Sequence, residues 1–108
     1  MQRGEVWWVE FHPSIGSEIR KARPAVIVSN DAANRNLSRV VVVPVTSNTG
    51  RHYPGEALVN VGGQSSKAMA DQIMAADKSR LRTPLGTLSK ADMLAVEDAI
   101  KVHLALPR

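Results

Sequence analysis

The chain has 108 residues, which is enough for one domain with one hydrophobic core, and we expect residues 1–108 to form it. Cysteine is absent, so disulfides, thiolate zinc sites and cysteine nucleophiles are excluded. No apolar run approaches the roughly 20 residues of a membrane span, and no signal-peptide pattern follows Met1. We therefore expect a cytoplasmic protein without a membrane partner, and the net charge of +4 favours an anionic partner.

The first two thirds of the sequence is typical of short β-strands. Residues 40–43 are apolar at consecutive positions, so we expect residues 39–43 to form a central strand that is covered on both faces, and the missing N–H of Pro44 indicates a bulge or a strand end there. Residues 31–36 are expected to form one short helical turn, and Pro84 limits its strand to an edge of the sheet. The predicted strands are 6–9, 24–28, 39–43, 56–61, 67–75 and 81–88.

The hydrophobic period changes from residue 89 onward. Ser89 with Asp92 predicts a helix start, and residues 89–105 contain no proline or glycine. The predicted apolar face comprises Met93, Val96, Ile100 and Leu104, flanked by Ala99 and Leu106. The fold class is therefore mainly β with a C-terminal helix, as a small curled antiparallel sheet or barrel on which the helix packs.

Histidines and metal ligands offer little chemistry in this sequence. His12, His52 and His103 could supply an acid–base pair, but isolated histidines are more often solvated or packing residues. Asp71 and Asp77 are six positions apart, and no pattern of metal-ligand spacing is present. We expect neither a metal site nor a cofactor.

Arg23 and Thr46 occupy matching places in two predicted strands. Arg23 ends a polar loop that runs from residue 13 and enters a buried strand at Pro24, while Thr46 follows the strand of residues 39–43. A guanidinium group can bind a phosphate with two hydrogen bonds. If the two strands pair, both side chains meet at one sheet end; periodicity alone favours a surface arginine and a strand-end threonine instead.

Four short motifs run through most of the chain. They are RGEVWWV at residues 3–9, RPAVIVSN at 23–30, VVPVTS at 42–47, and DQI at 71–73 followed by DKSRL at 77–81. In this order they resemble the MazF/PemK family of toxin endoribonucleases. The resemblance extends from Arg3 to the C-terminal helix.

The resemblance implies an SH3-like barrel, a homodimer, an acidic antitoxin as partner, and metal-independent cleavage of single-stranded RNA. By position, Arg23 and Thr46 match the catalytic pair of the family, and Asp71 and Gln72 match positions near the cut phosphate or the bound bases. One branch of the family has an acid–base arginine two residues before the aspartate. This chain has Met69 there, which favours a scheme based on Arg23 and Thr46.

In that scheme the 2′-hydroxyl of the RNA attacks the phosphorus, and the products are a 2′,3′-cyclic phosphate and a 5′-hydroxyl. Either Asp71 or Arg23 is the base; the carboxylate is the chemically easier one. RNA contacts are expected from two polar loops, and the residues are Ser17, Glu18, Arg20, Lys21, Ser47 and Asn48 together with Gln72.

Two other functions are compatible with the same sequence pattern. The fold is similar to that of toxins that poison DNA gyrase and cut nothing, but those depend on apolar residues at the end of the helix, where this chain has Leu104–Arg108. A catalytically inactive module that binds RNA or an antitoxin is the third possibility, and it is less favoured because Arg23 and Thr46 are both present.

Overall fold

The β-branched segments of the chain form an antiparallel sheet in the computed structural model, which describes residues 1–11 and 22–108. Within these residues the strands are β1 (Glu5–Glu10), β2 (Ala22–Ile27), β3 (Arg39–Thr46), β4 (Glu56–Val61), β5 (Gln64–Met69), β6 (Met74–Asp77) and β7 (Leu81–Thr87). The helices are α1 (Asp31–Asn36) and α2 (Lys90–His103), and single 3-10 turns cover Ala70–Gln72 and Lys78–Arg80.

Strand β3 organises the sheet. The strand order is β4-β5-β3-β2-β1-β7, and β6 pairs with β3 as well. Along one edge β3 pairs with β2, while along the other its first half pairs with β6 and its last residues pair with β5. The predicted central position of this strand is confirmed, and the sheet curls into a half-barrel.

Pro44 does not end its strand, so the strand-end alternative is wrong. Strand β3 continues through Pro44 to Thr46. Pro44 lies where β3 changes partner, between Val42, which pairs with β6, and Val45, which pairs with β5. A proline lacks an N–H group to donate, and along this edge of β3 no described residue is paired with Pro44, although its other edge still pairs with Ala25 of β2.

The predicted single strand over residues 67–75 is also wrong. Strand β5 ends at Met69, the chain makes a 3-10 turn, and β6 begins at Met74. The turn is closed by the N–H of Ile73, which donates to the carbonyl of Ala70 at 3.1 Å, and the N–H of Ala70 donates to Gly55 at 3.0 Å. This break allows two successive strands to pair with different halves of β3. The predicted edge strand is confirmed as β7, whose pairing with β1 shifts register around Pro84.

Apolar side chains are buried on both faces of the sheet. On one face Val26 and Val43 pack with the buried side of α2, which includes Val96. On the other face Ile27 and Val42 belong to a second cluster. Burying such side chains contributes about 1.5–3 kcal/mol each relative to leaving them in water, which makes these two clusters the main source of stability.

Helix α2 forms as its cap and period predict. The hydroxyl of Ser89 accepts the N–H of Asp92 at 3.1 Å, and Met93, Val96 and Ala99 are buried. The predicted face extends too far, however, because Leu104 and Leu106 are 47% and 48% exposed. The helix ends at His103 and the chain turns away through a left-handed residue at position 105. No helix in the described residues is long and apolar enough to span a membrane.

Asp31 ties the N-terminal segment to α1, and this contact predicts a pH-dependent stability. Its carboxylate accepts the backbone N–H of Arg3 at 2.7 Å, and this hydrogen bond, with a smaller one from Asn34, lowers the pKa of Asp31 below its ordinary range. The ionised form therefore stabilises the fold above about pH 4, and this contribution is lost as the pH falls through the lowered pKa.

We expect Asp31→Asn to lower the urea midpoint at pH 7, because the amide oxygen is a weaker acceptor for that N–H. The midpoints of variant and parent should approach each other as the pH falls through the lowered pKa of Asp31, because the parent side chain then becomes neutral as well. Equal midpoints at pH 7, or a gap that persists unchanged at low pH, would show that the charge of Asp31 contributes nothing.

Candidate active site

The register between β2 and β3 brings the start of β2, which carries Arg23, next to the end of β3, which carries Thr46. The strands are antiparallel, with Ala25 opposite Pro44 and Val26 opposite Val43. The same register continued by two positions sets Arg23 opposite Thr46, and alternation turns both toward the same face of the sheet. Directly opposite residues have Cβ atoms about 4.5–5.5 Å apart. The strand pairing that the sequence analysis required is therefore present.

Thr46 is half-buried, and its hydroxyl already has one partner. The backbone N–H of Asn48 donates to Thr46 Oγ1 at 3.2 Å, and the side-chain oxygen of Asn48 accepts the N–H of Gly50 at 3.2 Å. Ser47 and Asn48 are themselves exposed. Because the oxygen of Thr46 accepts a hydrogen bond from the chain, its proton remains available for an acceptor in solution.

Asp71 and Gln72 lie on the 3-10 turn between β5 and β6, and both are exposed. The turn lies next to β3, between the residues that pair with β5 and those that pair with β6. The point on β3 beside this turn is two to three residues from Thr46, which corresponds to about 7–10 Å along the strand. The amide of Gln72 contacts the sulfur of Met69 at 3.4 Å, and Met69 is buried. The position at which one branch of the family has an arginine thus belongs to the core here.

Several predicted residues lie outside the described part of the chain. These are the RNA-contact candidates Ser17, Glu18, Arg20 and Lys21, together with His12. Of the remaining histidines, His52 contacts the carbonyl oxygen of Glu56 through Nε2 at 2.8 Å, and His103 lies in the last turn of α2. Among residues 1–11 and 22–108 no group of three or more histidines and carboxylates is placed to hold a metal ion.

Sequence reasoning missed a pocket on the opposite face of the same sheet end. It has a volume of about 410 Å³ and is lined by Trp8, Pro24, Val45, Ser47 and Leu85, among others. Trp8 is 37% exposed, whereas its neighbour Trp7 packs against the second core cluster. The adjacent tryptophans were the available signal, because alternation along a strand must turn one ring to each face.

A buried lysine beside Thr46 was also missed. Lys67 of β5 pairs directly with Thr46, and its ammonium group lies 3.3 Å from Glu56 Oε2. Both side chains are 10% exposed. Lysine is seldom buried unless it is paired, so its position next to an apolar run was a signal that could have been used.

Comparison with known proteins connects this geometry with a family. The family model described as PemK-like, MazF-like toxin of type II toxin–antitoxin system matches residues 2–104. Endoribonuclease MazF9 of Mycobacterium tuberculosis is 43% identical over 98% of this chain and 98% of its own length. Endoribonuclease MazF of Staphylococcus epidermidis is 31% identical over 98% of this chain and 92% of its own length.

Solved structures agree with the sequence relatives. A mycobacterial endoribonuclease in complex with its cognate antitoxin superimposes with a TM-score of 0.85 at 29% identity, covering 100% of this chain and 98% of that one. A MazE–MazF structure from Deinococcus radiodurans gives a TM-score of 0.83 at 26% identity, with 99% and 97% covered. The family model and the MazF9 relative each span nearly the whole chain, and the chain therefore belongs to the PemK-like, MazF-like toxins of type II toxin–antitoxin systems.

Proposed function

We propose that this MazF-type endoribonuclease toxin cleaves single-stranded RNA at the sheet end formed by Arg23 and Thr46, without a metal ion and with a preference for certain base sequences. The observation that carries the proposal is the antiparallel register of β2 and β3, which, continued two positions past Ala25 and Pro44, sets a guanidinium group opposite a hydroxyl group. Cleavage of cellular RNA would inhibit translation and growth. The gyrase-poisoning alternative is not supported, because the matched relatives are endoribonucleases.

The proposed reaction uses a nucleophile that the substrate brings with it. The 2′-hydroxyl of one nucleotide attacks the adjacent phosphorus, and the bond from phosphorus to the 5′-oxygen of the next nucleotide breaks. Arg23 stabilises the added negative charge on the non-bridging oxygens through its two-pronged donor geometry. The Thr46 hydroxyl, which accepts a hydrogen bond from the Asn48 N–H, donates a hydrogen bond to a non-bridging oxygen of the same phosphate and keeps its proton.

Two protons must move in this reaction. One passes from the attacking 2′-hydroxyl to a base, and one passes from solvent water to the departing 5′-oxygen, which yields a 2′,3′-cyclic phosphate and a 5′-hydroxyl. We assign the base to Asp71, because an ionised carboxylate accepts a proton at neutral pH whereas a guanidinium group is a poor base in water. The exposed position of Asp71 on its turn beside β3 supports this assignment.

RNA contacts are proposed for the polar residues around this sheet end. Ser47 and Asn48 are exposed directly after Thr46, and Gln72 is exposed beside Asp71. In the sequence that precedes Arg23, the proposed phosphate contacts are Arg20 and Lys21 and the proposed base contacts are Ser17 and Glu18. These roles would make the loops, rather than the sheet, the determinants of the cleaved sequence.

The proposed partners are an acidic antitoxin, whose segment competes with RNA for this surface, and a second copy of the toxin; the proposed location is the cytoplasm. The solved mycobacterial relative is in complex with its cognate antitoxin, which supports the proposed antitoxin partner.

Exposed Leu104 and Leu106 after α2 support the proposed dimer of two toxin copies, since apolar surface of this kind marks interfaces. We expect light scattering at micromolar concentration to give the mass of a dimer, and the mass of a monomer would contradict the proposal.

Variants of the three proposed catalytic residues test the site directly. We expect Arg23→Ala and Thr46→Ala each to reduce the single-turnover cleavage rate by about 10²–10³-fold, because each removes a donor to the developing charge. Arg23→Lys should fail as well, since an ammonium group does not reproduce the planar fork. Asp71→Asn should slow cleavage if Asp71 is the base. Folding is checked by circular dichroism, and a folded Arg23→Ala protein with the parental rate would exclude this site.

Removal of metal ions tests the chemistry. Cleavage of a labelled RNA should continue at an unchanged rate in excess EDTA, because the proposed mechanism takes its nucleophile from the RNA and its charge stabilisation from side chains. A magnesium-dependent ribonuclease serves as the control for chelation. A requirement for added Mg²⁺ or Mn²⁺ would refute the metal-free mechanism.

A further inference from the structure

A buried ion pair holds the loop that follows Thr46. The ammonium group of Lys67 lies 3.3 Å from Glu56 Oε2 and donates to the backbone carbonyl of Arg51 at 2.8 Å. Both side chains of the pair are only 10% exposed. The lysine thus joins three parts of the chain: its own strand β5, the start of β4 and the loop of residues 47–55 between β3 and β4.

Lys67 also lies in one row with the two proposed catalytic residues. Strands β3 and β5 pair Thr46 with Lys67. The register of β2 and β3, continued two positions past the pair of Ala25 and Pro44, sets Arg23 on the other side of Thr46. Directly opposite residues on adjacent strands share a face of the sheet. The row therefore crosses three strands, and Thr46 is its middle member.

The same contacts fix the backbone of the loop where it returns to the sheet. Glu56 Oε1 accepts the N–H of Tyr53 at 2.8 Å, and the N–H of Glu56 donates to the carbonyl of Tyr53 at 2.9 Å. Arg51 itself is exposed, so its carbonyl is held by the lysine rather than by packing around its side chain. At its other end the loop contacts the Thr46 hydroxyl through the N–H of Asn48.

We propose that Lys67 is a positioning residue for RNA cleavage. Glu56 orients its ammonium group, which holds the carbonyl of Arg51. This contact keeps the loop of residues 47–55 in the conformation in which the Asn48 N–H orients the Thr46 hydroxyl. The proposal rests on the proposed reaction at Arg23 and Thr46. A buried ion pair is often no more stabilising than an apolar pair of the same volume, so stability alone does not account for a lysine here.

The positive charge of Lys67 is paired with the carboxylate of Glu56. A positioning role and a phosphate-binding role for this lysine therefore predict different salt dependences of RNA binding. A lysine that binds phosphate contributes about one unit to the salt dependence of RNA binding. A lysine that only holds the loop leaves that dependence unchanged and affects the rate of the bound complex. A displacement of about 1 Å at a reacting group is enough to cost up to about 10²-fold in rate.

The test compares Lys67→Met with the double variant Lys67→Met/Glu56→Gln. The single variant leaves a buried carboxylate without its cation and should lower the melting temperature, while the double variant removes that charge and recovers most of the loss. Glutamine keeps an oxygen for the Tyr53 N–H. We expect both variants to show a single-turnover rate at saturating RNA that is about 10–10²-fold below the parent, with an unchanged salt slope of binding.

Arg3→Gln is the matched control, because it removes the cation of another ion pair, with Glu97 at 2.9 Å, and Arg3 and Glu97 are each about one-third exposed. It should cleave at the parental rate. Faster amide hydrogen exchange at residues 48–53 in both Lys67 variants, measured without RNA, would support the loss of loop order independently of activity.

Three outcomes would overturn the proposal. The first is a double variant that cleaves at the parental rate. The second is a rate of the double variant that rises above that of Lys67→Met in step with its melting temperature. The third is a salt slope of RNA binding that falls by about one in either variant. If Lys67→Met does not fold, the double variant alone decides. Failure of the proposed active site is distinguishable, since it appears as a parental rate in Thr46→Ala, whatever the Lys67 variants do.

Discussion

The antiparallel register between β2 and β3 is the constraint on which the rest of the structure depends. It pairs Val26 with Val43 beneath α2 and Ile27 with Val42 in the second cluster, so both cores require it. The same register, continued to the strand ends, sets Arg23 opposite Thr46. A slip by one residue would turn every side chain of one strand to the other face and would disrupt core and candidate site together. Stability of the core therefore also maintains the geometry of the site.

Strand β3 extends this coupling to the other parts of the site. Its two halves have different partners, β6 and β5, and the 3-10 turn that carries Asp71 joins these partners. The loop after Thr46 returns to the sheet at Glu56, where Lys67 from β5 holds it. The guanidinium group, the hydroxyl, the carboxylate and the holding lysine thus all occupy β3 or segments that border it. The sheet therefore positions the residues of the candidate site, and Ser47 and Asn48 are exposed directly after it.

The central strand and the C-terminal helix could be predicted from the sequence because each depends on a local pattern. The apolar run of residues 40–43 has no polar position to expose to water, and the cap at Ser89 begins a period of 3.6. Pro44 and the turn after Met69 were mispredicted because their outcome depends on which strands are neighbours. A proline inside a strand is tolerated where its missing N–H removes no ladder hydrogen bond, and no local pattern reveals that position.

The candidate site was less accessible to local patterns than the fold. Periodicity favoured a surface arginine and a strand-end threonine, and only the ordered motifs of the family raised Arg23 and Thr46 above other polar residues. The Lys67–Glu56 pair spans two strands, and sequence alone does not report that its members meet. The adjacent tryptophans indicate that one ring faces each side of β1, but the pocket that Trp8 lines depends on the arrangement of several strands, which no local pattern reports.

A double-mutant cycle on Arg23 and Thr46 tests the central claim most directly. Single-turnover cleavage rates would be measured for the parent, Arg23→Ala, Thr46→Ala and the double variant, all checked for folding. If the register makes the two side chains one site on a single phosphate, the loss in the double variant should be far smaller than the product of the two single losses. A loss equal to that product would show that the two residues act independently and would contradict the account.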